Sequence, residues 1–282
     1  MTDTCLYIVS TPIGNLGDIS ARALDILQSV QLIAAEDTRH SGRLLQHFCI
    51  STPMWALHDH NERAQADKIV QRLSEGENIA LISDAGTPLI SDPGYHLVRK
   101  VREAGFRVVP IPGACALVAA LSASGLPTNR FAFEGFLPAK SQARLQRLEK
   151  LVADDRTLMF YESPHRVIAS LEAMLEVFGA DRYVVMAREL TKTFETIKGD
   201  TLGQLIDWMK ADHHQQKGEF VILVQGAVEE PDTEALSPEE SRVLNLLLEE
   251  LSLKQAAALA AKICNSKKKK LYQAALALKS AD

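Results

Sequence analysis

Five short apolar runs, at 6–10, 32–35, 54–57, 79–83 and 107–111, alternate with helical patterns near 19–30, 40–47, 61–74, 93–104 and 113–123. Brief β-rich runs separated by helix-length segments imply a parallel sheet covered on both faces. Asp18 is the candidate N-cap of the first helix and Asn61 of the third. The alternation resumes with strands near 131–134, 156–161, 182–187, 193–197 and 219–225, and helices near 141–152, 164–177 and 201–211. Between the two series, Ser124, Gly125, Pro127 and Asn129 concentrate turn formers. The expectation is an α/β chain in four parts. These are an N-terminal α/β domain over 1–124, a C-terminal α/β domain over 125–228, an acidic linker over 229–238 and a helical extension over 239–282.

A chain of 282 residues can bury two such cores, and its 46% apolar and 24% charged residues are those of a soluble globular protein. No apolar run approaches the ~20 residues of a membrane span, and no basic segment followed by a long apolar stretch suggests a signal peptide. Cys5, Cys49, Cys115 and Cys264 lie far apart without a C-x-x-C pair. That spacing argues against a zinc site or a disulfide framework and fits a reducing cytoplasm. The net charge of −5 hides an uneven distribution: residues 228–240 hold six acids and no base, whereas 254–281 hold seven lysines and no acid. The C-terminal piece is therefore a basic module. Its segments 254–263 and 267–278, broken at 264–266, resemble a helix-turn-helix.

The loop after the fourth strand, residues 82–94, reads I-S-D-A-G-T-P-L-I-S-D-P-G. Ligands in α/β folds sit where loops leave the carboxyl ends of central strands. Gly86 and Gly94 allow close backbone approach, and Asp92 can cap the next helix with Pro93 at its first position. Neither G-x-G-x-x-G nor G-x-x-x-x-G-K-[ST] is present, so the usual dinucleotide and P-loop readings fail. The first strand runs into a comparable loop, Thr11-Pro12-Ile13-Gly14-Asn15-Leu16-Gly17-Asp18. A structural turn or a site would each explain it, but two such loops on one edge favour a shared cleft.

Other strand ends also turn polar. Glu36-Asp37-Thr38-Arg39-His40 follows the second strand and His58-Asp59-His60-Asn61-Glu62 the third. The H-x-H spacing tempts a metal assignment, but no further Cys/His cluster supports it. Pro112-Gly113-Ala114-Cys115-Ala116 opens a small-residue helix whose free N–H groups could hold an anion. Cys115 among alanines reads as a buried small residue rather than a nucleophile. In the second half, 135–140, 161–166 and 187–192 repeat the pattern, with Lys140 reaching out of a turn.

Taken together, T-P-I-G-N-L-x-D-I, A-A-E-D-T-R-H, L-H-D-H-N-E, S-D-A-G-T-P-L-I-x-D-P-G-Y, P-G-x-C-A, E-G-F-L-P-A-K, Y-E-S-x-H-R, A-R-E-L-T-K-x-x-E and K-G-E resemble the ribosomal RNA small-subunit 2′-O-methyltransferases. That family lies within the tetrapyrrole-methylase-like, class III enzymes dependent on S-adenosyl-L-methionine (AdoMet). The resemblance covers about residues 6–280, and the D-A-G-T-P-L-I motif carries most of its specificity. It implies a homodimer of chains with two α/β domains, AdoMet in the cleft between them, and 2′-O-methylation of a decoding-centre cytidine in 16S ribosomal RNA within the assembled small subunit. It also implies an AdoMet pocket made by Pro12, Ser83, Asp84, Gly86, Thr87, Cys115 and Ala116, closed by Tyr161, Glu162, Ala187, Arg188, Gly218, Glu219 and Phe220. Ser91 and Pro164 are two small departures from the pattern.

Methyl transfer from a sulfonium is an in-line displacement, so alignment and desolvation can supply most of the catalysis without a metal. A ribose hydroxyl needs a proton acceptor, and Asp37 and Glu189 rank ahead of His58 and Glu36 for that task. Asn15, Arg39, His60, Asn61, Lys140, Arg166 and Lys192 are candidates for contacts to the RNA, as are Lys267, Lys268, Lys269 and Lys270 on the tail. Two rival readings are a methylase of a uroporphyrinogen-type tetrapyrrole and a non-enzymatic RNA-binding assembly factor. The basic tail has no evident use in the first, and the intact D-A-G-T-P and P-G-x-C-A motifs speak against the second.

Overall fold

The computed structural model describes residues 4–228 and 236–279. The first half builds strands β1 (Cys5–Val9), β2 (Leu32–Ala35), β3 (Met54–Ala56), β4 (Ile79–Ile82) and β5 (Arg107–Ile111). Its helices are α1 (Ala21–Ser29), α2 (Thr38–His47), α3 (Glu62–Ser74), α4 (Tyr95–Glu103) and α5 (Ala116–Ala123). The strands form one sheet in the order β3-β2-β4-β1-β5, every pairing parallel. Alternate residues of each strand point to opposite faces, and both faces are covered. Leu6, Leu32, Ile79 and Leu81 meet α3 and α4 through Ile69, Leu73, Leu97 and Val101. Val9, Ile33, Ala80 and Ile82 meet α1 and α2 through Ala23, Leu27 and Leu45. Deleting a fully buried side chain such as Leu81 would cost about 2–5 kcal/mol.

The chain from β1 runs out past β4 to β2, while that from β4 runs past β1 to β5. The order therefore reverses between adjacent strands β1 and β4, and a crevice opens at their carboxyl ends.

The second half builds β6 (Phe131–Phe136), β7 (Thr157–Glu162), β8 (Tyr183–Arg188), β9 (Thr196–Thr201) and β10 (Phe220–Val224), with α6 (Ser141–Glu149), α7 (Val167–Phe178) and α8 (Leu202–Ala211). The order is β6-β7-β10-β8-β9, and only β6–β7 is parallel. The second series therefore does not repeat the first as a parallel sheet. Seven residues separate β8 from β9, too few for a crossover helix, so the two strands pair as a hairpin.

One face of this sheet packs on α6, α7 and α8 through Phe160, Leu148, Leu171, Leu205 and Met209. The other carries Met159, Val185, Val221 and Leu223 and packs on Leu117, Ala120 and Leu121 of α5. The helix that leaves the last strand of the first sheet thus lies against the second sheet. Both sheets belong to one compact unit, Met1–Ala227.

Two expected helix caps fall elsewhere. Ser20, not Asp18, caps α1, its side chain accepting from Ala23 N at 3.1 Å. Helix α4 begins at Tyr95 with Gly94 as its N-cap, so Asp92 and Pro93 stand outside it. The reason is local: Gly86, Leu89, Ser91 and Gly94 all take positive φ, which keeps 84–94 a succession of turns. Asn61 does occupy the N-cap of α3, yet its side chain accepts from His58 N and donates to Ala56 O instead.

The second unit, Val228–Asp282, contains α9 (Pro238–Glu250), α10 (Leu253–Ile263) and α11 (Lys268–Lys279). Its core joins Leu244, Ala256, Ala257, Ala260, Leu271 and Ala275. Helix α9 opens with a capping box: Ser237 accepts from Glu240 N, and Glu240 accepts from Ser237 N at 2.7 Å. Residues 229–235 of the acidic stretch lie outside the described residues. Among the described residues no helix is long and apolar enough to cross a membrane.

Candidate functional site

Three loops of the first sheet are stitched together at its carboxyl edge. Thr11 N donates to Gly86 O at 2.8 Å and Gly86 N returns to Thr11 O at 3.1 Å. Thr87 Oγ1 lies 2.9 Å from Ser10 Oγ and donates to Ala114 O at 3.0 Å. Gly113 is required here, because a β-carbon on it would stand 2.8 Å from that of Ser10. The loops after β1, β4 and β5 therefore hold one another in place.

The loop after β2 joins from the other side, with Asp84 Oδ1 accepting from Asp37 N at 3.1 Å. Glu36, Asp84 and Asp92 gather on this edge, and none has a basic partner among the described residues. Burial raises the Glu36 carboxyl above its ordinary range, and the neighbouring Asp84, Asp59 and Asp37 add to the effect. Asp92 is pushed up to about 6, first by burial and then by the charge of Glu36, against a lowering hydrogen bond from Ser83. Glu36 and Asp92, half-buried beside like charge, therefore keep their protons more readily than free carboxyl groups do.

The second sheet brings the ends of β6, β7 and β8 and the start of β10 to one edge, since Phe220 lies opposite both Glu162 and Arg188. Here the charges are paired. Buried Glu162 accepts from Ser163 N at 2.9 Å and Ser170 Oγ at 2.6 Å, with Arg166 Nε 3.5 Å away. Glu189 accepts from Glu219 N at 3.0 Å and from Lys192 Nζ at 2.9 Å, while Lys192 also reaches Glu219 at 2.9 Å. Burial alone would raise the Glu189 carboxyl, but these donors bring it below its ordinary value. Gly218 is required beside it, because it sits at φ +101° and a β-carbon there would stand 2.5 Å from Glu189 Cγ.

Between the two edges lies a cavity of about 490 Å³. Of the residues expected at the methyl-donor pocket, Asp84, Gly86, Thr87, Cys115, Ala116, Tyr161, Glu162, Ala187, Glu219 and Phe220 line it, and Glu36 does too. Pro12, Ser83, Arg188 and Gly218 do not. Ser83 is buried beneath the loop, with its hydroxyl near Ala85 O and Gly86 O. Arg188 is buried and donates to Lys217 O and Thr196 Oγ1. Ile13, Ile90, Phe136, Leu190 and Val221 line the cavity without having been expected at a pocket, as do Asp92, expected as a helix cap, and Ser91 and Pro164, the two departures. For Ile13 and Leu190 the available signal is an apolar residue isolated among turn formers and charges just after a strand.

The carboxylates ranked first as proton acceptors stand outside the lining. Half-buried Asp37 binds Arg39 through both oxygens, and those hydrogen bonds hold it down at about 2. Glu189 is held by Lys192, as described. His58 and His60 are exposed, their ring centres 6.0 Å apart. Asn15 caps a short 3-10 turn by accepting from Gly17 N. Lys140 is exposed at the start of α6, and Arg166 donates to Leu137 O.

In the second unit Lys267, Lys268 and Lys269 are exposed. Lys270 differs: its ammonium lies 2.9 Å from Glu240 with both side chains largely buried. Glu240 is held down at about 2 by Ser266, Ser237 and Lys270.

Residues 5–206 match the family described as Tetrapyrrole (Corrin/Porphyrin) Methylases, and residues 234–279 match the RsmI C-terminal HTH domain. The chain is 57% identical over 279 residues to a protein of Haemophilus influenzae named ribosomal RNA small subunit methyltransferase I, covering 98% of this chain and 99% of that one. A protein of the same name from Escherichia coli O157:H7 is 59% identical over 271 residues, covering 96% and 94%. Among solved structures, diphthine synthase superposes with a TM-score of 0.60 at 15% identity, covering 79% of this chain and 90% of that one. A uroporphyrin-III-C-methyltransferase from Thermus thermophilus gives 0.53 at 18%, covering 78% and 94%. At such identities the superpositions speak for the shared fold alone.

Proposed function

The chain belongs to the tetrapyrrole (corrin/porphyrin) methylases, and from that premise we propose that it transfers a methyl group from AdoMet to a cytidine ribose 2′-hydroxyl in the decoding centre of 16S ribosomal RNA. The acceptor is presented by the assembled small subunit, and the enzyme works in the cytoplasm as a homodimer. The names of its near full-length relatives support ribosomal RNA as the acceptor, and the basic C-terminal unit supports contact with it.

The observation that carries the reading is the contrast between the cavity's walls. Glu36, Asp84 and Asp92 present unpaired acid on one side, while Ile13, Leu190 and Val221 contribute apolar surface. A ligand that is both cationic and partly apolar suits such a cavity. When bound, AdoMet supplies a sulfonium methyl whose positive charge disappears as the methyl departs. The three carboxylates attract and orient the cation, the apolar wall excludes water, and Gly86, Thr87 and Ala116 let backbone come close. Proton removal from the hydroxyl falls to Glu36 rather than to Asp37 or Glu189. It lines the cavity with a raised pKa, whereas the other two are already engaged by Arg39 and Lys192.

Incubation with labelled AdoMet and undermethylated small subunits, followed by mapping of alkali-resistant linkages, tests the reaction directly. One resistant linkage 3′ to a cytidine is the expected product; label on a base or on protein would refute the assignment. For the tail, the double variant Lys268→Glu/Lys269→Glu should weaken subunit binding and flatten its logarithmic salt dependence by about 2, with AdoMet affinity unchanged.

A further inference from the structure

Phe136 lines the cavity, yet 52% of it is exposed. Its position follows from an irregularity in β6. Phe133 pairs opposite Met159, but Gly135 pairs opposite Phe160 and Phe136 opposite Tyr161, which leaves Glu134 as an extra residue. In a regular strand, residues three apart point to opposite faces. The bulge brings Phe133 and Phe136 onto the same face, that of Met159 and Tyr161. Gly135 permits this at φ +68°. Bulges of this kind re-aim side chains beside functional sites.

The ring has a firm neighbour. Tyr161 meets Phe133 and Phe136 edge-on, with ring centres at 4.8 Å and 5.8 Å. Its own hydroxyl accepts from Leu117 N at 3.2 Å, which fixes the tyrosine between β7 and α5. Phe136 is thus braced on one side and half open at the cavity. Exposed Lys140, the N-cap residue of α6, adds a positive charge four residues along the chain.

We propose that Phe136 is the stacking platform for an unpaired nucleobase of the RNA, holding the target nucleotide while its ribose enters the cavity. The inference rests on the RNA-methylation reading above and names the group that would receive the displaced base. Every nucleobase offers a flat π face, and stacking on an aromatic side chain is a recurrent way to hold single-stranded RNA. An aliphatic side chain of equal bulk would fill the position without reproducing that interaction.

Phe136→Ala, Phe136→Leu and Phe136→Trp should be compared in initial-rate assays on undermethylated small subunits, with AdoMet affinity measured separately by calorimetry. The alanine and leucine variants should raise the KM for subunits about ten- to hundred-fold, while tryptophan stays within about threefold of the unaltered enzyme. AdoMet affinity should hold in all three. The proposal is overturned if leucine supports the original KM, or if AdoMet affinity falls in step with the rate, which would make Phe136 part of the donor site. Failure of the unaltered enzyme to methylate subunits would remove the RNA reading itself, and the stacking role with it. Normal transfer by all three variants would remove only the stacking role.

Discussion

The two sheet edges facing the cavity carry similar numbers of acidic groups and treat them in opposite ways. On the second sheet, Glu162 is satisfied by Ser163, Ser170 and Arg166, and Glu189 by Lys192 and the Glu219 amide. On the first sheet, Glu36, Asp84 and Asp92 face one another without a cation among the described residues. Paired carboxylates stabilise their own loops. Unpaired ones hold free energy that a cationic ligand can release on binding. On the function proposed above, one edge stands alone and the other is completed by the methyl donor.

The strongest test removes a carboxylate from the satisfied edge. Glu162→Leu would leave the Ser163 amide and the Ser170 hydroxyl without their acceptor and the Arg166 guanidinium without its counter-charge, so unfolding in urea should show a loss of about 3–5 kcal/mol. A loss below about 1 kcal/mol would mean that Glu162 does not hold its loop in place.

The matching change on the other edge should act with the opposite sign. Asp92→Asn removes a charge that its half-buried, acid-lined position resists. The unfolded carboxyl ionises near 3.8 and the folded one near 6, so the native state holds the extra proton between those values. Stability therefore falls as pH rises from about 4 to 6 and stays lower above it. At pH 7 the asparagine variant should be more stable by about 1 kcal/mol once solvent screening is allowed for. It should also bind AdoMet about ten- to hundred-fold more weakly by calorimetry, because a charge-assisted contact to the cation is gone. A variant that loses both stability and affinity would break the contrast between the edges.

The same ionisation gives a pH test of the unaltered protein. AdoMet affinity should be level above pH 6 and weaken as pH falls through it, approaching tenfold per unit, while Asp92→Asn flattens the curve. A profile unchanged by the substitution would assign the titration to another group, Glu36 first.

How far this contrast can be read from sequence differs between the edges. The strands of the first sheet are legible because both faces are buried, which makes 32–35 and 79–82 continuous apolar runs. The loops after them are legible because glycines and prolines follow those runs directly. Asp92 is misread as a cap because D-P-G precedes a helix. The left-handed turns at Leu89 and Ser91, which carry it to the cavity, leave no mark on residues that are neither glycine nor asparagine. The pairing of Glu189 with Lys192 and Glu219 is hidden for another reason: Glu219 lies thirty residues on, and only the antiparallel seat of β10 beside β8 brings it back. Phe136 escapes because simple alternation assigns it to the wrong face.

The smallest effect tests the seam between the halves. Cys115, the N-cap residue of α5, makes no side-chain cap, and Leu117 N in the first turn instead donates to the Tyr161 hydroxyl of the second sheet. That hydroxyl is pushed up to about 12, chiefly by burial, so it remains a neutral phenol at any working pH. Tyr161→Phe keeps the ring and its contacts with Phe133 and Phe136 and removes only the acceptor. The amide left behind faces a half-buried place, so the loss should be about 1 kcal/mol in urea unfolding, the size of a missing helix cap. AdoMet affinity should fall by less than in Asp92→Asn, because the phenol contributes position and the carboxylate contributes charge. An equal or larger fall would move Tyr161 from the supporting wall to direct contact with the methyl donor, and the edge of paired charges would then share in the recognition proposed for the unpaired one.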